Sequence, residues 1–290
     1  MLIGCKYGGV SMMDDRRVHD EVFIQSIDRM ERIIRYLVSN LGIDDASARD
    51  ERLAADILVQ LLREDNPMAD EILDDAAIFL CESEEGSEMF PFENRNERAA
   101  NSFYDRERAK AYIDAYWKNY NTAYPSFSHG GGDCTNFVSQ VLYAGGMPWA
   151  DDGNPANHKK SVNWYCKPGA TAKDSERRIT FSWKIAAVFK AHWTKRVARH
   201  GIFSYTEAIQ SINELSGSVF LGDVVQFCYS GGVPYHTLAV TGYNRDPEYN
   251  IRDIVLASHD IDSNTRSLYR TMLKYPSDYK LRVYNIKLGS

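Results

Sequence analysis

Residues 130–140 read Gly130-Gly131-Gly132-Asp133-Cys134-Thr135-Asn136-Phe137-Val138-Ser139-Gln140, and the rest of the chain is read outward from them. Phe137, Val138, Val141 and Leu142 recur at helical spacing, so three glycines open directly into a helix with an apolar face. Asp133 is of the residue type that caps helix N-termini, and Gly145-Gly146 with Pro148 supplies the stop. Cys134 therefore falls in the first turn. Unpaired backbone N–H groups and the positive end of the dipole favour a thiolate there, and the same donors suit an oxyanion. Gly132 and Asp133 stand on that oxyanion side. A small buried cysteine is the plainer reading of one thiol on a helix; the glycine bend, the cap and the dipole converge instead on a nucleophile.

The 290 residues suffice for one large domain or two modest ones, and 44% hydrophobic with 12% aromatic residues is an ordinary globular composition. No apolar run reaches the length of a membrane span. The first residues, MLIGCKYGGVSMMDDRR, lack the apolar core of a secretory signal, so the expectation is a cytoplasmic chain, with export by a non-classical route kept open. Cys5, Cys81, Cys134, Cys166 and Cys228 are odd in number and never spaced CxxC, which argues against a disulfide framework and against a zinc site. Residues 1–100 carry 23 acidic and 11 basic side chains, and residues 101–290 carry 17 and 23. This asymmetry suggests two domains that attract one another. The basic residues are dispersed without interleaved aromatics, so neither nucleic acid nor a membrane is expected as a partner.

Helical periodicity runs from about Val18 to Leu41 and stops at Gly42; a second helix starts near Asp45 or Ser47 and runs through Leu62, and a third spans about Met68 to Cys81. These define an acidic helical module at 1–81, whose helices bind a protein partner or the downstream domain. Residues 82–100, polar and broken by Gly86 and Pro91, form a linker, and 101–290 form the second domain. Tyr104 to Tyr120 reads as a helix with Tyr104, Ala111, Tyr112 and Ala115 inward. Loop chemistry with Trp149 and Trp164 fills the stretch to Ile179, and helices are expected over Ser182 to Trp193 and Thr206 to Leu215. Strands follow: Val219 to Tyr229, His236 to Tyr243, Arg252 to Ser258 and Leu281 to Leu288. In the second, His236, Leu238 and Val240 share one face, and Thr237, Ala239 and Thr241 the other. Helices first and antiparallel strands second is an α+β layout.

GGDCTNFVSQVLYAGG, preceded by YDRERAKAYIDAYWKNYNTAYPSF, resembles the putative amidase domain family, bacterial domains related to the NlpC/P60 and papain-like cysteine hydrolases. The likeness continues at Ser182-Trp183, LGDVVQF (Leu221 to Phe227), His236 and Ser258-His259, and spans about Tyr104 to Leu288. It implies a papain-like catalytic domain in which the helix carrying the cysteine packs on an antiparallel sheet, preceded here by the all-α module. It also implies hydrolysis of a peptide or amide substrate, with cell-wall (peptidoglycan-type) peptides as the favoured class.

A thiolate nucleophile needs a positioned base. Of the seven histidines, His19 lies in the helical module, and His158, His192 and His200 read as solvated. His129 is close enough in sequence to reach the Cys134 loop. His236 opens a strand after a glycine–proline turn, and the family resemblance puts the catalytic histidine there. The same resemblance makes His259 the residue that orients it, with Asp260 as runner-up, because a one-residue strand slip exchanges the two. The reaction expected is acyl transfer through a thioester on Cys134, with no metal and no organic cofactor; Tyr124 and Trp183 are candidates for the cleft wall. The competing readings are a deamidase or acyl transferase that modifies a protein, and an inactive binding domain of the same fold.

Overall fold

The computed structural model describes residues 31–49, 53–54, 57–58, 104–128, 132–173, 175–197, 199–260 and 262–286. In the N-terminal part, residues 31–41 are helical and bury Ile33, Ile34 and Leu37. Gly42 ends the helix as expected, at φ 68°, and Asp44 caps the short helix Asp45–Ala48 by accepting from Ser47 N at 2.9 Å. The expected helix at 68–81 and the linker at 82–100 lie outside the described residues.

From Tyr104 onward the chain is α+β. Its elements are α1 (Arg106–Tyr116), α2 (Cys134–Ala144), α3 (Phe181–Lys184), α4 (Ala186–Trp193), β1 (Arg199–Ser204), α5 (Tyr205–Gln210), α6 (Ile212–Ser218), β2 (Val224–Cys228), β3 (Pro234–Asp246), β4 (Ile251–Ser258), β5 (Ser263–Ser267), α7 (Leu268–Met272) and β6 (Lys280–Asn285). The six strands form one antiparallel sheet in the order β1-β6-β2-β3-β4-β5. Helices cover both faces. Phe137, Val138, Val141 and Leu142 of α2 pack with Trp164, Trp183 and Phe189 over Val224, Ala239, Ala257 and Tyr284. On the other face, Tyr205, Ile212, Leu215 and Leu268 pack over Val225, Phe227, Leu238, Val240 and Leu256.

Several elements differ from their sequence expectation. α1 turns Ala109 and Ile113 inward and leaves Ala111 and Ala115 exposed. The helix expected at Ser182 to Trp193 is two helices, because Ile185 is extended at φ −112° and ψ 121°. Ser211 likewise divides the one expected from Thr206. β1 and β5, RHGIFS and SNTRS, have no apolar alternation and were not expected; both are edge strands and half solvated.

The Gly222-Asp223 step anchors these layers. Asp223 is fully buried; its Oδ1 accepts from Arg106 Nη1 at 2.7 Å and Ile286 N at 2.9 Å, and its Oδ2 from Phe220 N at 2.9 Å and Asn285 Nδ2 at 2.8 Å. Arg106 also donates to Leu221 O and Ile286 O. Gly222 has φ 76°, and a Cβ there would lie 2.6 Å from the Tyr104 hydroxyl, so only glycine fits. One carboxylate thus ties the start of α1, the loop before β2 and the end of β6. Removing it strands four donors. Asp223→Ala should lower the unfolding free energy by about 3 kcal/mol in urea titrations, and Asp223→Asn by less. A loss below about 1 kcal/mol for Asp223→Ala would show that the anchor is dispensable.

Candidate active site

Every residue of α2 from Cys134 to Leu142 is buried, polar ones included. Each polar side chain binds a different neighbour. Thr135 Oγ1 lies 2.9 Å from Thr237 Oγ1 of β3, which also accepts from Gln226 Nε2 at 3.1 Å. Asn136 Nδ2 donates to Pro125 O at 2.8 Å and to Asp133 Oδ1 at 2.9 Å, while its Oδ1 accepts from Trp183 Nε1 at 3.0 Å. Ser139 Oγ accepts from Trp164 Nε1 at 3.1 Å, and Gln140 Oε1 from the Tyr112 hydroxyl at 2.7 Å. These bonds fix the helix against β3, α1 and the tryptophan loop, and so fix the place of its first residue, Cys134.

The helix N-terminus holds an anion, but a carboxylate rather than a thiolate. Asp260, just beyond β4, accepts from Cys134 N at 2.9 Å and from Asp133 N, both through Oδ2. The fit is tight. Asp260 itself is left-handed at φ 60°, Gly132 has φ 110°, and a Cβ on Gly132 would sit 3.0 Å from Asp260 Oδ2. Asp133 stands at the N-cap position, yet its side chain does not cap. Its Oδ1 accepts from Phe127 N at 2.8 Å, and its Oδ2 lies 2.6 Å from His259 Nδ1. His259 Nε2 lies 2.8 Å from Tyr116 O, and its ring is stacked between Tyr120 and Phe137 with centroids at 3.9 and 4.2 Å. One proton lies between His259 Nδ1 and Asp133 Oδ2 while Nε2–H donates to the carbonyl. Asp133, Cys134, His259 and Asp260 are thus brought together.

His236 is not part of this cluster. It pairs with Phe227 across β2 and β3, and its face continues through Leu238 and Val240, under α5 to α7. Thr237 and Ala239, on the opposite face, meet α2. The hydrogen-bond neighbour of Cys134 Sγ is Thr135 Oγ1 at 3.8 Å, not an atom of His236. The imidazole is buried, its Nε2 has no hydrogen-bond partner, and burial, then Arg266, hold its pKa well below the usual histidine range. Trp183 is fully buried, so it supports α2 instead of lining a cleft; half-buried Tyr124 stacks on it at 6.0 Å. His129 lies outside the described residues. His158 and His192, expected in solvent, are buried. Their Nδ1 atoms face Pro155 O and Ser161 O, and burial lowers their pKa values to about 4 and about 3.

Sequence reasoning expected Cys134 to be acidified, and the opposite holds. Burial, and then the Asp260 carboxylate, push its thiol up to about 12. Burial, and then the charge of Asp133, raise Asp260 to about 6. Cys166 and Cys228 are also buried, and among the described residues neither is in a disulfide. Among the described residues no group of three His, Cys, Asp or Glu side chains is arranged to hold a metal ion, and no helix is long and apolar enough to cross a membrane.

A family model described as a putative amidase domain matches residues 103–284. The chain belongs to the putative amidase domain family. The match contains the Gly222-Asp223 step, all of α2 and the His259-Asp260 pair. The family's description points to hydrolysis of amides. The uncharacterized protein YhbB of Bacillus subtilis (strain 168) is 29% identical over 143 residues, which are 49% of this chain and 38% of that protein. The chain therefore spans well under half the length of that curated relative. No solved structure matches.

The contact of Asp260 with the helix N-terminus makes a checkable claim. Asp260→Asn keeps an acceptor for the two N–H groups and removes the charge that disfavours the thiolate. Iodoacetamide should then label Cys134 about tenfold faster at pH 8, as a fall of about one pKa unit implies. The folded state holds the Asp260 proton more tightly than the unfolded chain does, so this group subtracts stability as pH rises from about 4 to about 6. The thermal stability of Asp260→Asn relative to the parent should therefore improve between pH 4 and pH 7. Equal labelling rates and parallel pH profiles would remove the carboxylate from control of the thiol.

Proposed function

We propose that this chain is a cysteine amidase of papain-like arrangement, with Cys134 as nucleophile. What carries the reading is the 2.9 Å contact between the Cys134 N–H and a carboxylate oxygen. An oxygen anion fits at the helix N-terminus beside the thiol, where acyl transfer generates one. In the proposed reaction the acyl oxygen of the substrate takes the position that Asp260 Oδ2 now holds. Cys134 Sγ attacks the carbonyl carbon, the C–N bond breaks, and the amine leaves with a proton. Water then hydrolyses the thioester to the free acid and restores the thiol.

For the imidazole that carries the proton, geometry favours His259 over His236. His259 is held by Asp133, the residue adjacent to the nucleophile, whereas His236 looks into the opposite side of the sheet. Thiol, imidazole and carboxylate are the parts of a triad, recognised by role and not by order in the chain. Release of His259 from Tyr116 O, together with departure of Asp260, would free the ring toward the thiol. Peptides of the cell-wall type are the first substrates to test, alongside simple acyl amides.

Hydrolysis followed by mass spectrometry on both substrate sets tests the assignment. Cys134→Ala should abolish turnover, and His259→Ala should lower kcat by roughly 10² to 10⁴, the usual worth of general acid–base catalysis. His236→Ala, compared at matched thermal stability, should cost less. Full turnover in Cys134→Ala would end the cysteine mechanism. An inactive but folded His236→Ala beside an active His259→Ala would return the base to His236.

A further inference from the structure

The distal end of the β3–β4 hairpin, away from Cys134, carries an open cleft of about 400 Å³. It is lined by Asn213 of α6, Tyr243, Asn244 and Arg245 of β3, Asn250 of the turn, and Ile251 and Arg252 of β4. Arg245 and Arg252 are direct cross-strand partners. Like charges placed opposite one another destabilise a sheet pair, and the usual remedy is a carboxylate between them. None is there. The nearby acids are turned elsewhere: Asp246 and Glu248 bind Arg270, and Asp253 binds Ser267 and Tyr269 N.

The cleft is nonetheless ordered. Arg245 Nη2 donates to Asn250 Oδ1 at 2.6 Å, the Arg252 guanidinium lies 4.0 Å over the Tyr243 ring, and Arg252 N donates to Asn213 Oδ1 at 3.0 Å. Asparagine and ring contacts hold both solvent-exposed guanidinium groups, with no carboxylate partner among the described residues, in a chain whose net charge is −6. A fork of N–H donors matches carboxylate and phosphate oxygens, and the asparagine amides around it suit hydroxyl or amide groups on the body of a ligand. The volume suits a small molecule.

We propose that this cleft binds a small organic oxyanion, a carboxylate or a phosphate ester, between Arg245 and Arg252. The inference is independent of the reaction at Cys134. The test uses the full chain labelled with ¹⁵N at arginine, at low ionic strength, with the Nε–Hε signals followed during titration. Glycerol phosphate and N-acetylglutamate are the two anion arms, and glycerol is the neutral control. Saturable shifts of Arg245 and Arg252, with a midpoint at or below about 5 mM in at least one arm, are expected, and the tighter arm gives the ligand class. Arg245→Gln keeps a donor for Asn250 and should weaken binding about tenfold or more with an unchanged melting temperature. Arg252→Lys keeps the charge without the fork and should fall between the two. Linear shifts in both arms, equal shifts with glycerol, or unchanged binding in Arg245→Gln would overturn the proposal.

Discussion

A helix with no exposed face must find a partner for every polar atom it carries, and α2 is such a helix from Cys134 to Leu142. Its apolar residues fill the space above the sheet. Thr135, Asn136, Ser139 and Gln140 each reach a different element, so the neighbours are held by directional bonds as well as by burial. The N-terminal donors of the same helix follow the same requirement. With Asp133 committed to His259, Phe127 N and Asn136, the cap comes from Asp260, more than a hundred residues away. Burial, and then the carboxylate that satisfies that helix end, disfavour the Cys134 thiolate.

The fold was legible wherever burial imposed a period. The apolar stripe of α2, the alternation in β3 and the glycine stop at Gly42 were all visible in the sequence. The strands that escaped notice, β1 and β5, lie at the sheet edges, where half-solvated positions need no apolar pattern. The helix breaks at Ile185 and Ser211 escaped as well, because neither residue is a breaker by propensity and each departure is imposed by packing.

The candidate site was legible in part, for a related reason. The alternation correctly set His236 with Leu238 and Val240, but both faces of β3 are covered by helices. An apolar pattern on either side could not say which face α2 occupies; the Thr135–Thr237 bond does. Asp133 carries a sequence signature for capping, and its side chain is drawn off by His259. The pairing of Asp260 with Gly132 had a faint signal in the glycine run. A left-handed glycine that cannot carry a Cβ beside a carboxylate becomes visible only once β4 ends next to α2.

The strand order has a consequence for biogenesis. β6, at Lys280–Asn285, lies between β1 and β2. During synthesis, β1 and β2 leave the ribosome first and cannot pair with each other. Each keeps an open edge until some fifty to eighty further residues have been added, at roughly 5–20 residues per second, so for several seconds at least. The nascent sheet is therefore exposed to pairing with other chains for that interval, and its closure is a late, long-range step of the kind that slows folding. Asp223 accepts from Ile286 N and Asn285 only after that insertion, so the anchor beside β2 serves as the latch on the last strand to arrive.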